Sequence, residues 1–486
     1  MSIKKIMFLT SSGFILLALP FGVMLYLLSN KWLGISFANT WLLIFSLCVY
    51  QYYNQNAEYL IGSFVFNFIF IKLIEEKLRD VACVPPILVT ANIAYVIFVK
   101  QFVDGLYVVG ISYFTFQQIA FILDIKKNNA EKVRFLNYAL FVSFFPQISS
   151  GPISRSAELI PQFTRKIASR WLLNVLVGTA IFSIGYFKKV VIADHLSEIT
   201  YREFVKADNA SIDMIGAWVG ALAFALQLYF DFSGYSDMVI GVARCFGIRL
   251  PFNFLSPYKA TSSIEFWSRW HISVTKLFTD HIFPRIAIHL ARYSLKKRYG
   301  KVGYFLMSVV VPIVLTWTLS GLWHGATMNF FLMGLLFGVS LVVNRMWRVW
   351  NFSAMPLALG WLLTFVSNVV IMVFFRSNSA TTAINIIFSM FGFCNVGGEL
   401  FKADFEVFLH LIQLFFLILF CILLPNTAEL TERHRLSGAG WRISPLAFKL
   451  RWRLNIWWAF AVGSMLGSAA LLRLTSGGHS FIYFQF

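Results

Sequence analysis

Residues 214–247 decide the fold, and they read MIGAWVGALAFALQLYFDFSGYSDMVIGVARCFG. Asp231, Asp237 and Arg244 are the only charged residues in this stretch. A helix needs about 20 mostly apolar residues to cross a bilayer, so the stretch is longer than one straight span requires. It predicts a membrane-embedded helix that is interrupted by the polar run 231–237.

The composition of the whole chain indicates the same class of protein. Of 486 residues, 58% are hydrophobic and 13% are charged, and 53 are Phe. Soluble proteins carry about 25% charged residues, so this chain has too few to cover a water-facing surface. The net charge of +19 would suggest a nucleic-acid partner on a soluble protein. Here it is better explained by basic cytoplasmic loops, and no nucleic-acid partner is predicted.

Apolar stretches recur along the chain without an internal repeat or a separate soluble domain. They predict a single transmembrane domain over residues 1–486, with about 10–13 transmembrane or re-entrant helices. The first stretch is too long for a typical signal-peptide core and predicts an uncleaved helix. The stretches are 6–28, 33–53, 59–74, 87–103, 106–123, 135–149, 171–193, 214–247, 303–321, 326–344, 357–375, 384–393, 404–424 and 455–474.

The loop charges predict the orientation of these helices. Lys and Arg accumulate in cytoplasmic loops, which assigns to the cytoplasm the basic clusters 126–134, 165–170, 292–301, 345–348 and 433–453. The acidic segments 194–213 and 399–406, and the C-terminal residues 476–486, then lie outside. Residues 135–149 stand between two cytoplasmic clusters, which predicts a re-entrant segment.

Ionisable groups within apolar runs are candidates for function, because one at the centre of a spanning helix costs about 2.5–3.5 kcal/mol. The run SGLWHGA (320–326) joins two apolar stretches and holds one such group, His324. A neutral imidazole can act as a general base near neutral pH. The alternative is a buried structural histidine that donates to a backbone carbonyl.

Two further polar runs are less decisive. Apolar residues recur at helical spacing over 264–282, which predicts a helix at the membrane interface that carries Glu265, Arg269 and His271. Spacing alone favours an aromatic belt with a snorkelling Arg over a functional site there. The run 231–237 is either a helix break that pairs Asp with Arg244 or Arg249, or one wall of a polar tunnel.

Several motifs resemble those of the membrane-bound O-acyltransferase (MBOAT) family. The two most specific carry one histidine each, in FDFSGYSDMVIGVARCFGIRLPFNFLSPYKATSSIEFWSRWHIS (230–273) and LSGLWHGA (319–326). More narrowly, the chain is similar to the bacterial branch that contains alginate O-acetyltransferase and the teichoic-acid D-alanyl transferase. Additional matches are FPQISSGPISR (145–155), FFR (374–376), PNT (425–427) and FIYFQF (481–486).

The resemblance implies an all-α polytopic fold with tilted helices around a central tunnel and a catalytic core at about 85–345. It implies that His324 is catalytic and that His271 assists. The residues it places along the tunnel are Gln147, Asp237, Trp267, Arg269 and Trp323. It implies no metal and no tightly bound cofactor.

The resemblance also implies the substrates and the surroundings. The donor is acetyl-CoA or an acyl-carrier thioester on the cytoplasmic side, and the acceptor is a hydroxyl of a cell-surface polysaccharide. A periplasmic acetyltransferase is the implied partner for relay of the acyl group. The implied location is the bacterial inner membrane, in contact with its lipids.

One departure from the alginate-type pattern concerns the acceptor. Members of that branch continue the first motif with an Arg-Asp-Tyr-Leu-Tyr-Ile-Pro-Leu-Gly-Gly pattern, whereas residues 279–286 read TDHIFPRI. The acceptor or the docking partner is therefore expected to differ from alginate's. Two alternatives stay open: a family member that acylates a lipid, teichoic acid or peptide, and a transporter or flippase, for which inverted repeats would be expected.

Overall fold

The chain folds as a multi-pass helical membrane protein. The computed structural model describes residues 8–76, 84–102, 108–128, 133–165, 171–209, 212–350, 352–353, 355–393, 405–431, 450–476 and 481–482. Within these ranges the regular structure is entirely helical, and nine helices are long and apolar enough to cross a membrane. The predicted all-α polytopic class is confirmed.

The α-helices of the described ranges are numbered in chain order. They are α1 (Leu19–Trp32), α2 (Ile35–Asn54), α3 (Ala57–Glu76), α4 (Val84–Phe102), α5 (Ile111–Asn128), α6 (Phe135–Ser143), α7 (Phe145–Ile148), α8 (Ser156–Leu159), α9 (Trp171–Phe187), α10 (Asp194–Asn209), α11 (Met214–Cys245), α12 (Ser263–Arg269), α13 (Ile272–Leu277), α14 (Phe283–Lys296), α15 (Lys301–Phe305), α16 (Val311–His324), α17 (Met328–Val349), α18 (Leu357–Arg376), α19 (Ala380–Met390), α20 (Phe405–Leu423), α21 (Thr427–Leu430) and α22 (Ile456–Ser476). Short π-helical segments extend several of them, at Phe14–Ala18, Lys188–Ala193, Phe278–Ile282 and Leu306–Val310.

Helix α11 forms the centre of the fold. At about 1.5 Å per residue it is about 48 Å long, and most of its side chains are buried. It packs against α9 through glycines, since a Cβ on Gly185 would come within 2.5 Å of the carbonyl oxygen of Gly234. Small residues of this kind let membrane helices approach closely. The predicted interruption at 231–237 is wrong, because α11 is continuous through it.

Lysines of the adjacent π-helical segment explain why α11 can hold two buried carboxylates without breaking. Lys189 Nζ lies 2.9 Å from Asp231 Oδ1 and 2.7 Å from Asp194 Oδ1. Lys188 Nζ lies 2.7 Å from Asp237 Oδ2. Paired charges of this kind offset the cost of burial. Of the two alternatives for the run 231–237, the one that pairs these aspartates with Arg244 or Arg249 is therefore wrong, since their partners come from another helix.

Residues 135–149, which are predicted to be re-entrant, form helices too short to cross a bilayer, and the re-entrant path itself stays a prediction. Helix α6 has nine residues and spans about 14 Å, which is less than half of the roughly 30 Å of a hydrocarbon core. Polar side chains on α2 bond to the irregular backbone near it: Asn39 Nδ2 donates to Phe163 O at 2.6 Å, and Tyr50 Oη donates to Val109 O at 2.8 Å. Non-helical backbone at membrane depth needs such partners.

The single interfacial helix predicted for 264–282 is wrong. Helix α12 ends at Arg269 and α13 begins at Ile272, with Trp270 extended and His271 in the left-handed region at φ 41°. Trp270 and Val274, expected on the apolar face of that helix, are buried within the protein. The segment folds inward because its aromatic side chains pack on α11 and its neighbours rather than on lipid. The amphipathic helix of this region is instead α14, which carries Arg285, His289, Arg292 and Lys296 at helical spacing.

The chain returns to α11 at its C-terminal end. Ile482 N donates to Asp231 Oδ2 at 2.9 Å, and the ring of Phe481 stacks on Tyr235 with centroids 4.5 Å apart. Both residues are buried. Residues 481 and 482, which belong to the stretch predicted to lie on the outer side of the membrane, thus contribute to the protein core.

Candidate active site

His271 and His324 line one small cavity beside the midpoint of α11. Leu228, close to the centre of that helix, forms part of the same wall, and Phe375 of α18 closes another side. The cavity has a volume of about 40 Å³, which holds no more than a few water molecules. The structure therefore brings the two histidines together at mid-depth, in a space that must widen to admit a thioester.

The backbone and one amide fix the orientation of His271. Its Nδ1 lies 3.2 Å from Oδ1 of Asn253. That oxygen also accepts from the backbone N–H of Ser273 at 3.1 Å, which identifies it as the acceptor. Nδ1 of His271 therefore carries the hydrogen, and Nε2 carries the lone pair. The edge of the imidazole meets Phe232 of α11, with ring centroids 4.6 Å apart.

His324 ends α16, and close packing against α17 sets its position. A Cβ on Gly321 would overlap the carbonyl oxygen of Phe330 and would lie 2.8 Å from Gly334 Cα. Only glycine allows this approach, one turn before His324. The imidazole of His324 contacts Phe375 edge-on, with ring centroids 5.3 Å apart.

The environment of His271 favours a neutral imidazole. His271 is 3% exposed, and burial lowers its pKa well below the ordinary value, with a further lowering from His324. A neutral imidazole can accept a proton from a hydroxyl, and its protonated form can return that proton to a leaving group. The aromatic walls around the cavity exclude water, which would otherwise compete as a nucleophile.

Of the three predicted tunnel residues that belong to the two histidine motifs, only Trp267 lines the cavity. Trp267 lines the cavity and packs on Trp317, with ring centroids 4.1 Å apart. Arg269 does not line it, because its Nη2 lies 2.8 Å from Glu265 Oε1 and its Nη1 donates to Leu255 O at 3.1 Å. Trp323 stands beside the cavity, with its ring centroid 6.2 Å from that of His271.

The other two predicted tunnel residues lie away from this cavity. Gln147 Nε2 donates to Phe141 O at 2.8 Å, and its Oε1 accepts from Ser154 Oγ at 3.3 Å. These bonds connect α6 and α7 with the irregular chain that follows them. Asp237 pairs with Lys188 and accepts from Thr427 Oγ1 at 2.6 Å. Its partner Thr427 belongs to the PNT motif, so that motif ties α21 to α11.

Sequence reasoning missed three residues of the site. Asn253 orients His271, while Thr275 and Phe375 line the cavity. Asn253 and Phe375 lie inside the motifs 230–273 and 374–376 that the sequence singled out. No spacing rule connects either position to a histidine, because the contacts join distant segments of the chain.

Comparison with known proteins supports the same assignment. Residues 89–382 match the MBOAT, membrane-bound O-acyltransferase family. The chain is 35% identical over 431 residues to the peptidoglycan O-acetyltransferase of Helicobacter pylori, covering 78% of this chain and 79% of that protein. It is 35% identical over 286 residues to a probable alginate O-acetylase, AlgI, of Azotobacter vinelandii, covering 59% and 54%. It is 27% identical over 244 residues to the teichoic acid D-alanyltransferase of Streptococcus thermophilus, covering 49% and 57%.

The helical fold, the paired histidines and these matches define an integral-membrane acyltransferase. The chain belongs to the MBOAT family and is an O-acyltransferase. The alternative of a transporter or flippase is thereby set aside. The predicted boundaries of the catalytic core, 85–345, stay a prediction beside the matched range 89–382.

Proposed function

We propose that the protein transfers an acetyl group from a cytoplasmic thioester, acetyl-CoA in the simplest case, to a hydroxyl of a cell-surface glycan. The observation that carries the proposal is the shared cavity of His271 and His324 at the midpoint of α11. A donor and an acceptor that approach from opposite faces could meet there. Only the small acyl group, rather than the charged donor, would then cross the hydrocarbon.

The reaction is an acyl transfer in which His324 acts as the base. His324 takes the proton of the acceptor hydroxyl while the oxygen forms a bond to the carbonyl carbon. The carbon–sulfur bond breaks, and the proton passes to the departing thiolate. His271 supports this step through its Nε2 lone pair, which can take the proton from His324 and pass it to the departing sulfur. Positioned acid–base help of this kind contributes about 10²–10⁴ in rate.

Peptidoglycan is the first acceptor to test. The relative named as a peptidoglycan O-acetyltransferase is matched over 78% of this chain, whereas the probable alginate O-acetylase is matched over 59%. The replacement of the alginate-type pattern at 279–286 also favours a different acceptor. A separate periplasmic acetyltransferase would relay the group, and the enzyme would lie in the bacterial inner membrane. Transfer to teichoic acid, a lipid or a peptide remains the alternative.

Mass spectrometry of cell-surface polymers tests this function. We expect acetyl ester on one polymer of the wild-type strain and none in a His324→Ala strain, with His271→Ala severely reduced. His289→Ala is the matched control, because His289 is exposed on α14. Equal acetylation in wild type and His324→Ala, at equal amounts of membrane-inserted protein, would exclude the assignment.

Proteoliposomes test the donor. Acetyl-CoA labelled in the acetyl group, supplied on one face, should yield label bound covalently to an acceptor on the opposite face. Replacing it with an acetylated acyl-carrier protein separates the two donor classes. Label that crosses as free acetate, without ester formation, would contradict the proposal.

A further inference from the structure

Arg244 is a buried cation in the last turn of α11 that has no anionic partner in the described part of the chain. It is 3% exposed, and its Nε and Nη1 atoms are buried without a hydrogen-bond partner. It interacts electrostatically with a second cation, Arg249, and with the thiol of Cys245. The distribution of basic residues predicts that this end of α11 faces the cytoplasm.

The buried lysines show how the fold compensates a buried positive charge elsewhere. Lys189 lies between two carboxylates, at 2.7 and 2.9 Å. Lys259 Nζ lies 3.4 Å from Glu429 Oε2 and donates to Leu424 O at 2.8 Å. Among the described residues, Arg244 alone of the buried Lys and Arg side chains lacks such a carboxylate. Burying a charge without a partner is costly, so this arrangement requires an explanation.

The carbonyl end of α11 does not supply the missing partner. The carbonyl oxygen of Arg244 accepts from Gly247 N at 2.9 Å, and that of Ala243 accepts from Phe246 N and Ile248 N. These bonds satisfy the terminal carbonyls with backbone. The remaining attraction between a cation and a helix C-terminus is small compared with the cost of an unpaired buried charge.

The position of Arg249 indicates the kind of ligand that would complete the site. Its side chain is exposed, whereas its backbone is fixed by Gln162, which accepts from Arg249 N at 2.8 Å and donates to Arg249 O at 2.9 Å. Arg249 follows five residues after Arg244, just beyond the end of α11, and one buried and one accessible guanidinium repel each other unless an anion binds. A phosphate group accepts from several guanidinium N–H donors at once and suits such a pair.

We propose that Arg244 and Arg249 form a binding site for a phosphate group at the predicted cytoplasmic end of α11. The phosphate could come from the headgroup of an anionic phospholipid or from the nucleotide part of a coenzyme A thioester. The site does not depend on the proposed acyl transfer, because it is defined by binding alone.

The test compares ligands that differ by a phosphate, on the delipidated full-length protein in detergent. One arm compares phosphatidylglycerol with diacylglycerol, and the other compares coenzyme A with pantetheine. We expect the phosphate-bearing member of at least one pair to raise the unfolding temperature, and the responding pair identifies the source. Equal responses within both pairs would overturn the proposal.

The variants of the same protein complete the test. Arg244→Gln should weaken the responding ligand at least tenfold, whereas Arg292→Gln, which removes an exposed arginine of α14, should leave its affinity unchanged. Without ligand, Arg244→Gln should unfold at the same or a higher temperature than wild type, since the unpaired charge is gone. A large loss of ligand-free stability would reveal an internal partner and overturn the proposal. If Arg244→Gln does not purify as folded protein, Arg249→Gln decides, and unchanged affinity in that variant counts against the site.

Discussion

Nδ1 of His271 donates to Oδ1 of Asn253, 18 residues earlier in the chain, across 3.2 Å. Asn253 is fully buried and its Oδ1 accepts two further bonds, from Ser273 N at 3.1 Å and Ser273 Oγ at 3.0 Å. The same residue accepts from Ile272 N through its backbone carbonyl at 3.0 Å. Asn253 thus holds both the tautomer of His271 and the left-handed turn that presents it.

Asn253→Ala should therefore slow acyl transfer without removing either histidine. We expect a loss of about 10²-fold in rate, because a misplaced catalytic group of this kind has that cost. The measurement is the rate of labelled acetyl transfer in proteoliposomes, with kcat and KM separated. Ser273→Ala is the control, since it removes one bond of the network and leaves His271 bonded. Equal losses in the two variants would mean that Asn253 supports the fold rather than the imidazole.

Gly321→Ala should disturb the position of His324 through the backbone. The added Cβ would overlap the carbonyl oxygen of Phe330 on the adjacent helix, so α16 and α17 must separate. We expect a loss of about 1–3 kcal/mol in stability, together with reduced transfer. Gly467→Ala on α22, where a Cβ meets nothing within 4 Å, should be neutral or slightly stabilising. The unfolding temperatures of the two variants test this prediction. Equal values would show that α16 and α17 can separate without loss of stability.

The sequence predicted the parts of the fold that depend on one segment at a time. Apolar length identifies spans such as α11 and α18, because lipid imposes the same requirement on each helix separately. Basic clusters on both sides predicted that the segment of α6 does not span, and α6 is indeed too short to do so. His324 could be predicted for a similar reason. The energetic cost of placing an ionisable group in the bilayer depends on its own apolar segment and not on the position of the other helices.

The parts that the sequence did not predict depend on contacts between segments. The run 231–237 resembled a helix break because its carboxylates lacked visible partners, yet their partners Lys188 and Lys189 lie more than 40 residues earlier in the chain. Helical spacing over 264–282 hid the turn at His271, whose backbone is held by Asn253. Proximity of His271 to His324 came from the family resemblance rather than from spacing.

Removing one member of the Lys188–Asp237 pair should destabilise the protein more than removing both members together. Their side chains are 11% and 8% exposed, and Thr427 Oγ1 bonds to both. Asp237→Leu would leave the Lys188 ammonium buried without its carboxylate, at a cost of about 3–5 kcal/mol. Lys188→Met combined with Asp237→Leu should recover most of that loss. The free energy of unfolding in mixed micelles containing SDS measures the cycle, and additive losses would contradict the pairing.

The buried imidazole of His271 should make stability fall in mild acid. Burial, with a smaller contribution from His324, lowers the folded-state pKa of His271 below the value of about 6.5 that it has when unfolded. The unfolded chain therefore binds the proton first, so the stabilising contribution is complete above pH 6.5 and is lost as the pH falls through the folded-state pKa. We expect the unfolding temperature of wild type to drop more between pH 7.5 and pH 5 than that of His271→Gln. The two pH values lie about one pKa unit or more to either side of 6.5. The pKa of His281 is also lowered by burial, but His281 is present in both proteins and its contribution cancels in the difference. Parallel curves for the two proteins would mean that the pKa of His271 is the same in the folded and the unfolded chain, which would contradict the lowering of its pKa by burial.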